Sequence, residues 1–231
     1  MQVGVFDADV YGPNVPLMLG VHQRQRSRAS YVPVARRRDS KPTVKPVERF
    51  GLKVFSTGLL VGEDQAINPP PDTVGQIVVS TLREVAWGEL DYLLVDMPPS
   101  SGQPQADLVK QVPLSGVIIV TTPQDLSLLD AGRSFQLFKQ AKVRILGVVE
   151  NMSYFICPDC GGRHEIFRRT ESVAPDVLRD VPLFGRIPLA PAISRGINQA
   201  APIVHTEPES AQAQAFLDIA VILAETVAKN K

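Results

Sequence analysis

Two cysteines stand three positions apart in the run Cys157-Pro158-Asp159-Cys160-Gly161-Gly162. That spacing lets two thiolates reach one metal ion or one cluster. Three chemistries use it: half of a zinc site, half of an iron–sulfur site, or a redox dithiol. A redox pair normally opens a helix after a strand, and Gly161-Gly162 is a poor helix start. Zinc and cluster sites both usually take four ligands, and the chain has no second such pair. A symmetric dimer would bring four thiolates together. His164 lies close by, but a lone histidine is more often structural or solvated than metal-bound. Two cysteines cannot form a disulfide framework, and their spacing points to a reducing compartment, the cytoplasm.

A second group of residues could handle phosphate and a cation. Asp7 and Asp9 follow the apolar run Val3–Phe6, and Tyr11-Gly12-Pro13 comes next. Carboxylates at i and i+2 after a strand suit a metal–phosphate site, or equally a solvated turn. Leu90 through Val95 ends in Asp96, followed by Met97-Pro98-Pro99-Ser100-Ser101-Gly102. An apolar run closed by Asp is the Walker B pattern, in which the carboxylate orders Mg²⁺ beside nucleotide phosphates. Gly102 could bring its amide close to a γ-phosphate. Asn151, at the end of another apolar run, has the donor and acceptor needed to read a purine edge. An asparagine in an ordinary turn would look the same.

The elements that must position these residues are legible as short apolar runs separated by helix-like stretches. Strands are expected at Val3–Phe6, Lys53–Val61, Tyr92–Val95, Gly116–Thr121, Ile145–Val149 and near Leu183–Ile187. They are continuous and rich in Val, Ile and Leu, as in strands buried on both faces. Helices are expected at Asp72–Trp87, capped by Asp72, at Gln124–Ala141 and at Glu209–Lys229. This alternation predicts an α/β fold, a mostly parallel sheet with helices on both faces. In such sheets ligands bind at the C-terminal ends of the strands, where the residues above lie. One domain is expected over 1–231, with a basic loop at 22–50 and a metal knuckle at 151–167.

Composition narrows the class further. The chain has 231 residues, 44% hydrophobic and 21% charged, which argues against wholesale disorder. No apolar run reads as approaching the ~20 residues of a membrane helix, and the N-terminus lacks signal-peptide character. The formal charge is zero, but nine Lys/Arg against two acids crowd residues 24–49. Few aromatics and no helical or strand period accompany them, so a solvated loop is the better reading than a nucleic-acid patch. None of the 16 glycines is followed by lysine, so the chain contains no Gly-Lys phosphate loop. It also lacks G-x-S-x-G, H-E-x-x-H and G-x-G-x-x-G.

The order of these pieces resembles the Mrp/ApbC family of iron–sulfur cluster carriers, in the MinD/ParA group of P-loop NTPases. Val3 through Pro13 is similar to the family's switch I segment. Trp87 through Pro99 is similar to its Walker B and switch II. Thr121–Asp125, Leu128–Ala131 and Val149–Phe155 continue in register, and Cys157 and Cys160 fall on the family's cysteine pair. Leu183–Leu189 and Ala213–Phe216 complete a likeness that covers nearly the whole chain.

The resemblance implies a P-loop NTPase fold, N-terminally incomplete, because the family's phosphate-loop unit precedes the position of Met1. It implies that Asp7 or Asp9 orients the attacking water, that Asp96 holds Mg²⁺ and that Gly102 senses the γ-phosphate. Asn151 would contact adenine. Cys157 and Cys160 would bridge a [4Fe–4S] cluster across a homodimer, for transfer to apo iron–sulfur proteins, with ATP hydrolysis coupled to cluster handling. The chain departs from the family where Ser100-Ser101 replaces a glycine-threonine pair. Without the phosphate loop, negligible ATP binding is expected. The competing expectations are a zinc-binding dimeric remnant of the fold and a ParA/MinD-like partitioning ATPase.

Overall fold

The structure is a computed structural model describing residues 1–21, 44–60, 69–98, 102–157, 159–167, 178 and 180–229. In chain order the elements are β1 (Val3–Asp7), α1 (Val15–Leu19), β2 (Val47–Arg49), β3 (Leu52–Ser56), a 3₁₀ turn (Thr57–Leu60) and α2 (Pro71–Glu84). Then follow β4 (Tyr92–Asp96), α3 (Gln103–Gln111), β5 (Val117–Thr121), α4 (Asp125–Gln140) and β6 (Ile145–Glu150). The last are β7 (Phe155–Ile156), β8 (Arg163–His164), β9 (Leu183–Arg186), α5 (Pro191–Asn198), α6 (Ile203–Thr206) and α7 (Ala211–Ala228). Two compact units result, Met1–Val112 with Ile197–Ala201, and Pro113–Gly196 with Pro202–Lys231.

The first unit is built on a four-stranded sheet in the order β2-β3-β1-β4. β1 runs parallel to β3 and β4, whereas β2 is antiparallel to β3. Phe6 anchors it. The ring is fully buried, stacked on Phe55 at 6.3 Å and edge-on to Trp87 at 6.3 Å. Val15, Leu19, Val21, Val54 and Leu59 form a separate apolar cluster with Val5. Since adjacent strand residues point to opposite faces, Val5 and Phe6 serve two sides of the sheet. Helix α1 stops at Gly20, whose left-handed backbone (φ 66) lets its N–H and that of Val21 return to the carbonyls of Leu17 and Pro16.

The second unit carries the parallel sheet β5-β6-β9 and the antiparallel pair β7-β8. Its strands are covered on both sides. Ile118 and Val149 belong to a cluster with Phe216, Ile219, Leu223 and Val227 of α7. Their neighbours Ile119 and Val148 belong to another, with Ala131 and Phe135 of α4. The parallel α/β class read from the sequence is therefore present.

Several boundaries differ from the expected ones, for local reasons. The strand expected over Lys53–Val61 ends at Ser56, because the Ser56 hydroxyl donates to Asp7 and accepts from the Gly58 N–H, starting a turn. Val61 lies outside the described residues. The helix expected over Asp72–Trp87 ends at Glu84, since Val85 turns extended and bridges Val44. Its cap position is Pro70 rather than Asp72, with no side-chain cap, and Pro71 opens the first turn. Ser210 caps α7 by accepting from the Ala213 N–H. Of the basic loop at 22–50, residues 22–43 lie outside the described residues, and 47–49 form β2.

One expectation about apolar runs is corrected. Among the described residues, α7 is long and apolar enough to cross a membrane by length and composition alone. Its alanines raise the mean hydropathy without forming a conspicuous run of large apolar side chains. One stripe of α7 packs on the sheet, whereas Leu217, Val221 and Ile222 are exposed.

Candidate functional site

In the first unit the sheet register sets Asp7 directly beside Asp96. The Ala8 N–H donates to the Asp96 carbonyl at 2.8 Å, carrying the pairing one residue past the strand. Asp7 is fully buried. One of its oxygens accepts from the Asp9 N–H at 3.1 Å, and the other from Ser56 Oγ at 2.9 Å and the Val15 N–H at 3.3 Å. The carboxylate thereby ties β1, β3 and the start of α1 together. Asp9 accepts from the N–H groups of Tyr11 (3.1 Å) and Gly12 (3.0 Å), which shapes the loop that follows. Sequence reasoning missed Ser56. The signal was Ser56-Thr57 closing an apolar run, since Thr57 also donates to the Asp9 carbonyl.

The electrostatics mark this cluster as costly when empty of positive charge. Burial raises the Asp7 carboxyl to about 6, opposed by its hydrogen bonds from Ser56 and Asp9 and reinforced by Asp96. Asp96 is exposed as a residue, yet loss of water around its carboxyl raises it, and repulsion from Asp9 adds to that. Carboxylates set against one another fit a hard cation such as Mg²⁺. Among the described residues no three metal-binding side chains converge closely enough to hold an ion by themselves. That suits Mg²⁺, which keeps waters and is usually held by one or two carboxylates plus substrate phosphate. Gly102 is the residue before α3, with extended backbone (φ −89, ψ −168). It stands at a helix N-terminus, whose free N–H groups suit an anion.

A pH dependence follows from Asp7. Its carboxyl ordinarily titrates near 3.8 and is raised to about 6 in the fold. The native state thus holds a proton that the unfolded state has released. The resulting stabilisation is complete below about pH 4 and is lost as pH rises through about 6. Two pH units correspond to about 3 kcal/mol. Asp7→Asn is expected to remove this slope, so the stability difference between variant and wild type should shift in the variant's favour from pH 4 to 7. Thermal unfolding across that range checks it, and a constant difference would contradict it.

The second unit holds Asn151 and the cysteine pair. The Asn151 N–H donates to the Thr121 carbonyl at 2.7 Å, and its side-chain oxygen accepts from the Met152 N–H at 2.9 Å. The side-chain oxygen is thus occupied by the turn, and the amide NH₂ is the half suited to meet a base acceptor. The pair itself sits in the loop between β7 and β8. The Cys157 N–H donates to the Gly162 carbonyl and the Gly161 N–H to the Cys157 carbonyl, both at 2.9 Å. Gly161 has φ 69, a conformation that favours glycine.

This knuckle stabilises thiolate. The Cys157 thiol is lowered by the backbone N–H of Cys160, then that of Asp159, then the Cys160 side chain. Both cysteines are free, with Cys160 exposed. A Cβ on Gly162 would lie 3.2 Å from Cys160 Sγ and 3.3 Å from His164 Nε2. Glycine there leaves room beside the sulfur for a bound group. No third ligand completes a metal site with the two thiols among the described residues.

A protein-family model described as the ParA-type, NUBPL iron-transfer P-loop NTPase matches residues 1–224. An iron–sulfur cluster carrier protein of Synechocystis sp. is 41% identical over 97% of this chain and 62% of its own length. An iron–sulfur protein required for NADH dehydrogenase, mitochondrial, of Arabidopsis thaliana is 37% identical over 95% of this chain and 67% of its own. The chain spans about three fifths of the length of most such relatives. Among solved structures, a nucleotide-binding protein of Archaeoglobus fulgidus in complex with ADP superposes with TM-score 0.67 at 30% identity. It covers 91% of this chain and 77% of its own. The septum site-determining protein MinD of Pyrococcus horikoshii, with Mg-ADP, gives TM-score 0.60 at 25% identity, over 95% of this chain and 82% of its own.

Proposed function

The chain belongs to the NUBPL iron-transfer P-loop NTPase family, matched over residues 1–224, and from that premise we propose that it carries an iron–sulfur cluster to apo proteins. The observation that supports this most is the knuckle at Cys157 and Cys160. It holds two free thiols, one already lowered by backbone N–H groups, and no third donor among the described residues. A [4Fe–4S] cluster takes four thiolates, so two copies of the chain supply them as a homodimer. The free cysteines fit a reducing compartment such as the cytoplasm.

Delivery is a ligand exchange without net redox. Acceptor thiols lose protons and bind the irons, and Cys157 and Cys160 leave as thiolates and regain protons. The backbone N–H groups that stabilise the Cys157 thiolate also make it a better leaving ligand. Exposure of Cys160 gives an incoming thiol access. The test is anaerobic transfer from the reconstituted chain to an apo ferredoxin-type acceptor. The acceptor's activity or spectrum should recover, and recovery should survive an iron chelator too weak to strip the bound cluster. Loss of recovery under the chelator would mean release of free iron, not delivery.

The nucleotide half of the reading uses the first unit's carboxylates. Mg²⁺ with ATP, when bound, supplies charge neutralisation on the phosphates and a leaving group. Asp96 would be the carboxylate that holds the ion, and the helix N-terminus at Gly102 would offer N–H groups to the phosphates. Asp9 would orient the attacking water, with enclosed Asp7 holding the loop in place. In the second unit, taken by itself, the Asn151 amide NH₂ is free of the turn bond that its oxygen makes and would suit a base acceptor. No glycine within these 231 residues precedes a lysine, so they do not by themselves supply a lysine cradle for the phosphates. The 231-residue chain alone is expected to bind ATP negligibly. Equilibrium dialysis with labelled ATP should show no retention at micromolar concentrations, and micromolar binding would contradict this.

A further inference from the structure

The knuckle is reached from the sheet through a turn that a buried acid holds. β6 ends at Glu150, which is 4% exposed. Its carboxylate accepts from Ser153 Oγ and meets Arg186 Nε at 3.3 Å, at the end of β9. Between them Met152 has φ 52, a strained value for a side chain with a Cβ. Past the turn the chain is laid along the segment after β9. The Ser153 N–H donates to the Ile187 carbonyl at 2.9 Å, the Leu189 N–H to the Tyr154 carbonyl at 2.7 Å, and Phe155 bridges Leu189. Cys157 follows two residues later.

A buried carboxylate is costly unless its partners over-determine it. Two of its partners among the described residues come from the places the turn must join: the turn itself, through Ser153, and the neighbouring strand, through Arg186. The backbone strain at Met152 is offset at the same spot. We propose that Glu150 is a positioning residue for the cysteine knuckle, acting through Ser153 and Arg186 to set the direction in which the β7–β8 hairpin leaves the sheet. The inference rests on the reading of Cys157 and Cys160 as ligands. Groups that orient ligands from outside the coordination sphere typically change metal affinity by about 10- to 100-fold.

Anaerobic cobalt(II) titration of the full chain tests it, because the thiolate-to-cobalt absorption reports both affinity and geometry. Glu150→Ala and Ser153→Ala should each weaken cobalt binding about tenfold and shift that absorption, with far-UV circular dichroism unchanged. Glu150→Gln, which still accepts from Ser153, should restore most of the affinity. The double variant should be no worse than Glu150→Ala, since the residues act in series. Should Glu150→Ala fail to fold, Ser153→Ala and Glu150→Gln still decide the matter. Wild-type affinity and spectrum in Ser153→Ala, or additive losses in the double variant, would overturn the proposal. A wild-type chain that binds cobalt but takes up no iron and sulfide would defeat the cluster reading alone, leaving the role of Glu150 to be judged by the variants.

Discussion

The chain with Cys157→Ser and Cys160→Ser together is expected to retain no iron and no sulfide after anaerobic reconstitution, while the wild-type chain shows the broad absorption of thiolate-to-iron charge transfer. The effect should be complete rather than graded. A dimeric site built from this pair loses all four ligands at once, and no other cysteine exists to replace them. Serine changes little else. Cys160 is exposed and Cys157 half-buried, so the packing cost is small, and the knuckle's backbone bonds at Gly161 and Gly162 do not involve the sulfurs. Unaltered far-UV circular dichroism should accompany the loss. Persistence of the absorption in the double variant would remove these cysteines from the site.

Phe6→Ala is expected to cost about 3–5 kcal/mol, out of a total that for single domains is about 5–15 kcal/mol. Phe6 is 0% exposed and is packed between Phe55 and Trp87. Its removal takes away both ring contacts and leaves a cavity in strand β1, which carries Asp7 at its end. The cavity cannot close easily, because β1 is fixed on both sides by β3 and β4. Urea unfolding should show a much lower midpoint with an unchanged slope. Phe6→Leu, which keeps most of the volume, should cost distinctly less. A change below 1 kcal/mol for Phe6→Ala would mean that this ring does not anchor the sheet.

The parallel α/β class was legible because the strands are continuous runs of Val, Ile and Leu, such as Val117–Thr121 and Ile145–Glu150. The strand ends were legible for the same reason. An Asp, Thr or Asn that breaks such a run stands at a strand's C-terminal end, where ligands bind in such sheets, which made Asp7, Asp96 and Asn151 candidates; the roles expected of them came from the family resemblance. Shorter pieces were not legible. α1 spans five residues and β7 and β8 two each, too few for any periodicity to show. α3 was hidden because its residues Gln103–Gln111 are largely polar.

Roles were harder to read than positions. Asp7 and Asp9 look alike in sequence, but Asp7 is enclosed by Ser56, Val15 and the Asp9 N–H, whereas Asp9 shapes the exposed loop at Tyr11. That division depends on β3 lying next to β1, a contact between residues 49 positions apart. Glu150 was overlooked for a similar reason. Its importance comes from Arg186 on a neighbouring strand, which no local pattern reveals. The cysteine pair was the opposite case, since its spacing and the glycines that follow it are visible within the local run from Cys157 to Gly162.

The proposed delivery depends on one cluster being shared by two copies of this chain through Cys157 and Cys160. Native mass spectrometry of the anaerobically reconstituted chain, with iron and sulfide analysis of the same sample, tests it most directly. The expected result is a dimer carrying iron and sulfide in equal amounts, at one [4Fe–4S] cluster per two chains. Zinc without sulfide, or a full cluster on a single chain, would contradict it.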